Sequence, residues 1–118
     1  MVVDDDTGIV AALTIMLEDA GYDVASTSNG HIVSEVSESI PDLILLDIWM
    51  GDVDGRDVCK QLKRQNATKN IPIIMISARA DAEISALNAC ANAFIAKPFE
   101  MDELLTMVGK YTQKELTE

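Results

Sequence analysis

Five polar side chains in this sequence each follow an apolar run, in an order that could assemble a reactive site. They are Asp4, Asp5, Asp47, Ser77 and Lys97. In an open parallel sheet, ligands bind just beyond the carboxyl ends of the strands. A single carboxylate in such a place is commonly the cap of a loop or helix. Polar residues that recur at the ends of four separate runs instead favour one shared site.

The chemistry of these side chains indicates a metal ion and a phosphoryl group. If the first and third runs are neighbouring strands, the carboxylates of Asp4, Asp5 and Asp47 converge and need a cation to balance their repulsion. Mg²⁺ prefers oxygen ligands and is held by one or two carboxylates together with water and substrate phosphate. A carboxylate beside the metal can attack a phosphoryl group and form an aspartyl phosphate. Lys97 could neutralise the transferred group, and Ser77 could donate a hydrogen bond to it.

Strands that alternate with helices would place these residues at one edge of a sheet. Residues 43–46 and 72–77 are apolar runs without polar alternation, which is typical of strands buried on both faces. Residues 1–3, 23–27 and 94–96 complete five predicted strands. Apolar residues at helical spacing predict five helices: Ile9, Leu13, Met16, Leu17 and Ala20 (ended by Gly21); Ile32, Val33 and Val36; Val58, Cys59 and Leu62; Ile84, Leu87 and Ala91; Met101, Leu104, Leu105 and Val108. We therefore expect an α/β fold, a doubly wound five-stranded parallel sheet with right-handed crossovers.

The composition favours one domain and excludes several partners. A length of 118 residues suits a single core, so residues 1–118 are predicted to form one domain with a polar tail from about residue 112. Nine basic and twenty acidic residues give a net charge of −11, which argues against direct binding to nucleic acid or anionic lipid. No apolar run approaches the ~20 residues of a membrane span, and no signal peptide precedes the acidic cluster. The prediction is a cytoplasmic domain.

Three other residues with reactive side chains are not expected to take part. Cys59 and Cys90 lie in segments with helical periodicity, without Cys or His at metal-ligand spacing, so we expect them to be reduced and half-buried. His31 stands alone near a helix start, where a solvent-facing position is expected.

Over nearly its whole length the sequence resembles the receiver domain of two-component response regulators. In that family an acidic pair follows the first strand, a phosphoacceptor Asp ends the third, a Ser or Thr ends the fourth, and Lys-Pro follows the fifth. The matching residues here are Asp4-Asp5, Asp47, Ser77-Ala78 and Lys97-Pro98-Phe99. The order and spacing of the complete set are highly specific, whereas an Asp-Asp pair alone would be weak evidence. In one departure from the family pattern the first strand begins late, since family members usually carry several more residues before the acidic pair.

The resemblance implies a topology, a metal site and a reaction. The strand order would be 2-1-3-4-5, as in flavodoxin-like folds. Asp5 and Asp47 would bind Mg²⁺ directly, the main-chain carbonyl of Trp49 would be the third protein ligand, and Asp4 would act mainly through water. The Lys97–Pro98 peptide bond would be cis. A sensor histidine kinase or a phosphotransfer protein would donate the phosphoryl group to Asp47, and the domain would catalyse only its own phosphorylation and dephosphorylation.

The resemblance also implies a conformational switch. In the family, the residue at the position of Ser77 moves toward the phosphoryl group, and the aromatic residue at the position of Phe94 turns inward. These movements change the face made by the fourth helix, the fifth strand and the fifth helix. Phe94 lacks the hydroxyl of the tyrosine often found there, which should favour the inward state. The output partner of this face is unknown, and the face is also a candidate homodimer contact.

Two alternatives from other functional classes stay open on the sequence alone. A degenerate receiver would act as an interaction module without phosphate, although such domains generally lose one of the acidic residues or the lysine. An aspartyl-phosphate phosphohydrolase uses the same nucleophile. Such enzymes usually carry a second Asp two positions after it, where this sequence has Trp49.

Overall fold

The computed structural model describes residues 1–27, 40–50, 53–89 and 91–112, which form a sheet with helices on both faces. In chain order the elements are β1 (Val2–Val3), α1 (Thr7–Asp19), β2 (Ser26–Thr27), β3 (Ile44–Asp47), β4 (Trp49–Met50), β5 (Val53–Asp54), α2 (Gly55–Arg64), β6 (Ile73–Ser77), a 3-10 turn (Ala80–Ala82), α3 (Glu83–Asn88), β7 (Ala93–Ala96) and α4 (Met101–Thr112). The predicted helix around residues 32–36, His31 and Cys90 lie outside the described residues.

The main sheet has the strand order β2-β1-β3-β6-β7, and every neighbouring pair is parallel. Counted along this sheet alone, that is the predicted order 2-1-3-4-5, so the expected α/β fold is confirmed. The strands β4 and β5 form a separate antiparallel ribbon directly after β3, which the sequence did not predict. Because the main strands are parallel, the residues that follow β1, β3, β6 and β7 share one edge.

Two apolar clusters cover the two faces of the sheet. The pleat of β3 directs Ile44 and Leu46 into the first cluster and Leu45 into the second. Helices α2 and α3 pack on the first face, and α1 and α4 pack on the second. Cys59 of α2 is fully buried in the first cluster, whereas the sequence predicted a half-buried thiol. No helix among the described residues is long and apolar enough to cross a membrane.

Both ends of α1 are set by local hydrogen bonds. Asp6 caps its start, because Asp6 Oδ1 accepts from the amides of Gly8 at 2.9 Å and Ile9 at 3.2 Å. The predicted stop at Gly21 is confirmed by its φ of 99°. The amides of Gly21 and Tyr22 donate back to carbonyls of the last turn, which is a Schellman motif. The cap at Asp6 fixes where the acidic loop after β1 ends and the helix begins.

Helix α3 packs through a different set of residues from the predicted one. The sequence pattern placed Ile84 and Leu87 toward the core, but they are 73% and 43% exposed. The buried contacts come instead from the small side chains of Ala82, Ala86 and Ala89. Alanines at a spacing of three to four residues also lie on one helical face, and they let the helix backbone approach the sheet. Two large apolar side chains are therefore left on the surface of α3.

Gly55 begins α2 where a side chain does not fit. A Cβ atom there would overlap the carbonyl oxygen of Asp47 and would lie 3.1 Å from the Cα of Ile48. We expect Gly55→Ala to lower the free energy of unfolding by about 1–3 kcal/mol, because α2 must move away from the end of β3. Urea denaturation measures this change.

The matched control for Gly55→Ala is Gly8→Ala in the first turn of α1. A Cβ atom at Gly8 would meet only Asp6 Oδ1, at 3.3 Å, which is the end of a side chain rather than backbone. Gly8→Ala should therefore change the free energy of unfolding by less than about 1 kcal/mol. Equal destabilisation by the two substitutions would show that the contact with β3 is not the cause.

Candidate functional site

Three carboxylates meet at the carboxyl edge of the sheet. Asp4 and Asp5 follow β1, and Asp47 is the last residue of the neighbouring strand β3. One ligand oxygen from each of the three lies within 4.8 Å of the others. Asp4 and Asp47 are buried, with 2% and 5% of their surface exposed, whereas Asp5 is exposed. The convergence predicted from the sequence is therefore observed.

Lys97 lies between the two buried carboxylates. Its Nζ is 3.1 Å from Asp4 Oδ2 and 3.2 Å from Asp47 Oδ1. The main chain holds Lys97 in place, since its amide donates to the carbonyl oxygen of Ser77 at 2.8 Å. The Lys97–Pro98 peptide bond is cis, as predicted. The strand ends thus bring a cation and two carboxylates together from positions far apart in the chain.

The site carries three carboxylates, those of Asp4, Asp5 and Asp47, and one ammonium group, that of Lys97, so negative charge is in excess. Burial is the main cause that raises the pKa of Asp47 from 3.8 to about 6; Asp4 adds to the rise and Lys97 opposes it. Burial lowers the pKa of Lys97, but its hydrogen bond to Asp4 and the charge of Asp47 outweigh burial and keep that pKa above its ordinary value. A divalent cation would relieve the repulsion between the carboxylates. The oxygen-only donor set fits Mg²⁺.

Ser77 ends β6, the strand next to β3. Its side chain is fully buried, and its Oγ accepts a hydrogen bond from the amide of Arg79 at 3.0 Å. Because that bond uses Oγ as an acceptor, the hydroxyl proton can still be donated to another group. Ser77 therefore lies at the carboxyl edge of the sheet, as predicted, and its hydroxyl group can donate a hydrogen bond.

Trp49 lies in β4, two residues after Asp47, with 45% of its surface exposed. The guanidinium carbon of Arg56 stands 4.6 Å from the centre of its ring. Arg56 also pairs with Asp54 at 2.6 Å and donates to Ser85 Oγ of α3 at 3.1 Å. One arginine thus connects the loop after the buried aspartate to α3. The role of the Trp49 carbonyl as a metal ligand stays a prediction.

Phe94 lies in β7 and is partly buried against the first apolar cluster. The helices that precede and follow β7 in the chain expose large apolar side chains. These are Ile84 and Leu87 of α3 and Met101 of α4. The face expected to carry an output signal is therefore apolar in part.

Sequence reasoning missed two residues that shape the site, Gly55 and Arg56. Asp54 caps α2 by accepting from the amide of Arg56 at 2.9 Å, and an Asp-Gly pair after a turn-rich stretch was the available signal for a tight approach. Arg56 had no local signal for its bond to Ser85, because the two residues are 29 positions apart.

The sequence of the chain matches a known protein family and several of its members. The sequence model described as "Response regulator receiver domain" matches residues 1–109. The master transcriptional regulator RpaA of Synechocystis sp. is 35% identical over 111 residues, which are 92% of this chain and 46% of that protein. The response regulator MtrA of Mycobacterium tuberculosis is 37% identical over 111 residues, 92% of this chain and 47% of that protein. The chain therefore spans about half the length of these relatives.

Solved structures agree with the sequence comparison. The receiver domain of NtrX from Brucella abortus has a TM-score of 0.87 and 27% identity, over 96% of this chain and 97% of that one. The receiver domain of a sensor histidine kinase from Pseudomonas aeruginosa, solved with a magnesium ion in its active-site cleft, has a TM-score of 0.86 and 25% identity, over 96% of this chain and 95% of that one. With its acidic cluster, its bridging lysine and this fold, the chain belongs to the response regulator receiver domain family, whose members act in phosphorylation-based two-component signalling.

Proposed function

We propose that Asp47 is the residue of this receiver domain that accepts the phosphoryl group. The observation that carries the proposal is the position of its carboxylate. Asp47 ends a central strand, is buried, lies in the cluster with Asp4 and Asp5, and contacts Lys97. A carboxylate so placed can act as a nucleophile while its neighbours hold the incoming group. The domain would catalyse only reactions of its own aspartyl phosphate.

The cluster would hold Mg²⁺ through Asp5, Asp47 and the main-chain carbonyl of Trp49, with Asp4 acting mainly through water. The proximity of the three carboxylates supports this set, since one oxygen atom of each lies within 4.8 Å of an oxygen atom of the other two. When bound, Mg²⁺ would neutralise oxygens of the phosphoryl group. Lys97 would supply a second positive charge to that group, and Ser77 would donate its hydroxyl proton.

Movements of Ser77 and Phe94 would couple phosphorylation to a change at the surface of the domain. A shift of Ser77 toward the phosphoryl group would leave space into which Phe94 packs more deeply. Phosphorylation can favour such a state only by binding it better than the resting state. The exposed side chains of Ile84, Leu87 and Met101 suit a face that repacks against an output partner or against a second copy of the domain.

The proposed donor is a sensor histidine kinase or a phosphotransfer protein. Relatives such as RpaA and MtrA are named as DNA-binding regulators, and this chain corresponds to about half of their length. With a net charge of −11, the domain itself is not expected to contact nucleic acid. We propose that residues 1–118 form one domain that passes its signal to an output partner.

Intact-mass spectrometry after incubation with acetyl phosphate and Mg²⁺ tests the proposed function. We expect a singly phosphorylated protein that loses its phosphate in acid. Rapid consumption of acetyl phosphate without any adduct would indicate a phosphohydrolase instead, and absence of both would indicate an interaction module. The phosphohydrolase is disfavoured because Trp49 occupies the place of its usual second aspartate.

Mg²⁺ should change the fluorescence of Trp49, the single tryptophan of the chain. Binding of the ion would order the loop after Asp47 and alter the surroundings of an indole that is 45% exposed. The change should follow a saturating one-site curve of modest affinity, because Mg²⁺ stays largely hydrated. A fluorescence titration with parallel calorimetry measures both quantities.

Asp5→Ala is the control for this titration, because it removes a proposed direct ligand and leaves Trp49 in place. It should abolish the fluorescence change. A flat fluorescence trace in the wild type, with binding confirmed by calorimetry, would place the metal away from Trp49.

A further inference from the structure

The guanidinium group of Arg56 is fixed on three sides. Its Nε and Nη2 donate to the carboxylate of Asp54, at 2.9 Å and 2.6 Å. Its carbon lies 4.6 Å from the centre of the Trp49 ring. Its remaining nitrogen, Nη1, donates to Ser85 Oγ of α3 at 3.1 Å. A planar group with several donors can make all these contacts at once, whereas the compact ammonium group of a lysine cannot.

Two of these contacts attach Arg56 to the ribbon of β4 and β5. Trp49 and Asp54 are directly paired across this ribbon, so the guanidinium group contacts both of its strands. The amide of Gly55 donates to the carbonyl oxygen of Ile48 at 2.7 Å, which joins the ribbon to the end of β3. The position of the guanidinium group is therefore set by the segment that directly follows β3.

The third contact ties α3 to this segment. Among the described residues, the bond from Arg56 is the one hydrogen bond between a side chain of α3 and another element. Ser85 Oγ also donates to the carbonyl oxygen of Ala82 at 3.0 Å, which orients its hydroxyl group to accept from Arg56. Helix α3 has only six residues and packs through alanines. Such a short helix depends strongly on its tertiary contacts.

We propose that Arg56 is a positioning residue that couples occupation of the metal site to the stability of α3. The inference rests on the proposed Mg²⁺ site, in which the main-chain carbonyl of Trp49 is a ligand. An ion held there would order the ribbon, and the ribbon would then hold the guanidinium group in place for Ser85. The bond to Ser85 would be stronger, because less conformational freedom is lost when it forms.

A role in stability alone explains this bridge less well. The side chains of Arg56 and Asp54 are 26% and 30% exposed, and ion pairs that solvent reaches contribute little to stability. The bridge does define where α3 lies relative to the ribbon. Ser85 lies between Ile84 and Leu87, the exposed apolar side chains of α3. The metal site would thus act on this surface by a route separate from the proposed serine and phenylalanine movements.

Hydrogen–deuterium exchange by NMR tests the coupling. The reporter is the amide of Ala89, because it donates to the carbonyl oxygen of Ser85 at 3.1 Å. The amide of Leu104 in α4, on the other face of the sheet, reports the general stabilisation of the fold by Mg²⁺. Saturating Mg²⁺ should slow exchange at Ala89 by about fivefold or more beyond its effect at Leu104.

Variants at both ends of the bridge should remove this extra protection. Ser85→Ala leaves Trp49 and Asp54 in contact with Arg56, so its Mg²⁺ affinity in calorimetry should stay near that of the wild type while the extra protection of Ala89 is lost. Ser85→Thr keeps the hydroxyl group and should retain the protection. Arg56→Lys keeps the charge and should lose the protection. The double variant with Ser85→Ala should lose no more than either single variant.

Asn88→Ala is the matched control, because it removes an exposed polar side chain of the same helix and leaves the bridge intact. It should keep the wild-type protection. Equal protection of Ala89 and Leu104 in the wild type, full protection in Ser85→Ala, or its loss in Ser85→Thr would overturn the inference and leave the metal site intact. Absence of Mg²⁺ binding to the wild type in calorimetry would overturn the metal site and this inference together.

Discussion

Asp47→Asn should abolish phosphoryl incorporation and should also make the metal-free protein more stable, by roughly 1–3 kcal/mol. The first effect follows because the amide cannot act as the nucleophile. The second follows because the substitution removes a buried charge whose pKa is raised mainly by burial and then by Asp4. Lys97 keeps a partner, since its Nζ also lies 3.1 Å from Asp4. Urea denaturation in EDTA and intact-mass spectrometry measure the two effects.

The gain in stability should depend on pH in a defined direction. The pKa of Asp47 rises on folding from 3.8 to about 6, so the folded protein binds this proton more tightly than the unfolded chain. This group should make the metal-free wild type less stable as the pH rises from about 4 to about 6. The advantage of Asp47→Asn should therefore be complete above about pH 6 and should vanish below about pH 4.

Asp23→Asn is the control for this substitution, because it removes one negative charge from an exposed position at the other edge of the sheet. It should leave phosphorylation unchanged and should alter stability by less than about 0.5 kcal/mol. Acid-labile phosphate taken up by Asp47→Asn at the wild-type rate would show that another residue is the acceptor.

Lys97→Ala should slow phosphorylation by roughly 10²-fold while Mg²⁺ affinity is unchanged or slightly higher. The transferred group would lose a charge partner, and the metal would lose a competing cation. Because Lys97 separates two buried carboxylates, its removal should also destabilise the metal-free protein. Mg²⁺ should restore much of that stability. Calorimetry, phosphorylation rates and urea denaturation with and without Mg²⁺ measure these effects.

Lys69→Ala is the matched control, since Lys69 is exposed and precedes β6 at the far edge of the sheet. It removes the same charge and should leave both the rate and the Mg²⁺ affinity unchanged. A large loss of Mg²⁺ affinity in Lys97→Ala would contradict the role given to Lys97, because a cation that competes with the metal cannot also be required for its binding.

Much of the fold could be predicted because the two central strands are buried on both faces. In a chain of this length, a continuous apolar run such as residues 73–76 is typical of a strand that is buried on both faces. Polar residues directly after such runs then locate the site, and Asp47, Ser77 and Lys97 were placed at the correct edge. The strand order came from the family resemblance, since periodicity does not tell which strands are neighbours.

Features that depend on contacts distant in sequence could not be predicted. Hydropathy marked Ile84 and Leu87 as core residues, yet α3 packs through alanines, because close approach to the sheet mattered more than side-chain size. The stack of Arg56 on Trp49 depends on the ribbon of β4 and β5, which no local pattern indicated. The contact between Gly55 and Asp47 likewise arises only when α2 meets the end of β3.

The most direct test of the central claim is to locate the phosphoryl group in the wild-type protein. After phosphorylation with acetyl phosphate and Mg²⁺, reduction with borohydride converts an aspartyl phosphate to homoserine, and peptide mass spectrometry then locates the changed residue. The proposed function predicts homoserine at position 47 alone, with Asp4 and Asp5 unchanged. Homoserine at either of those aspartates, or acid-stable phosphate on Ser77, would contradict it.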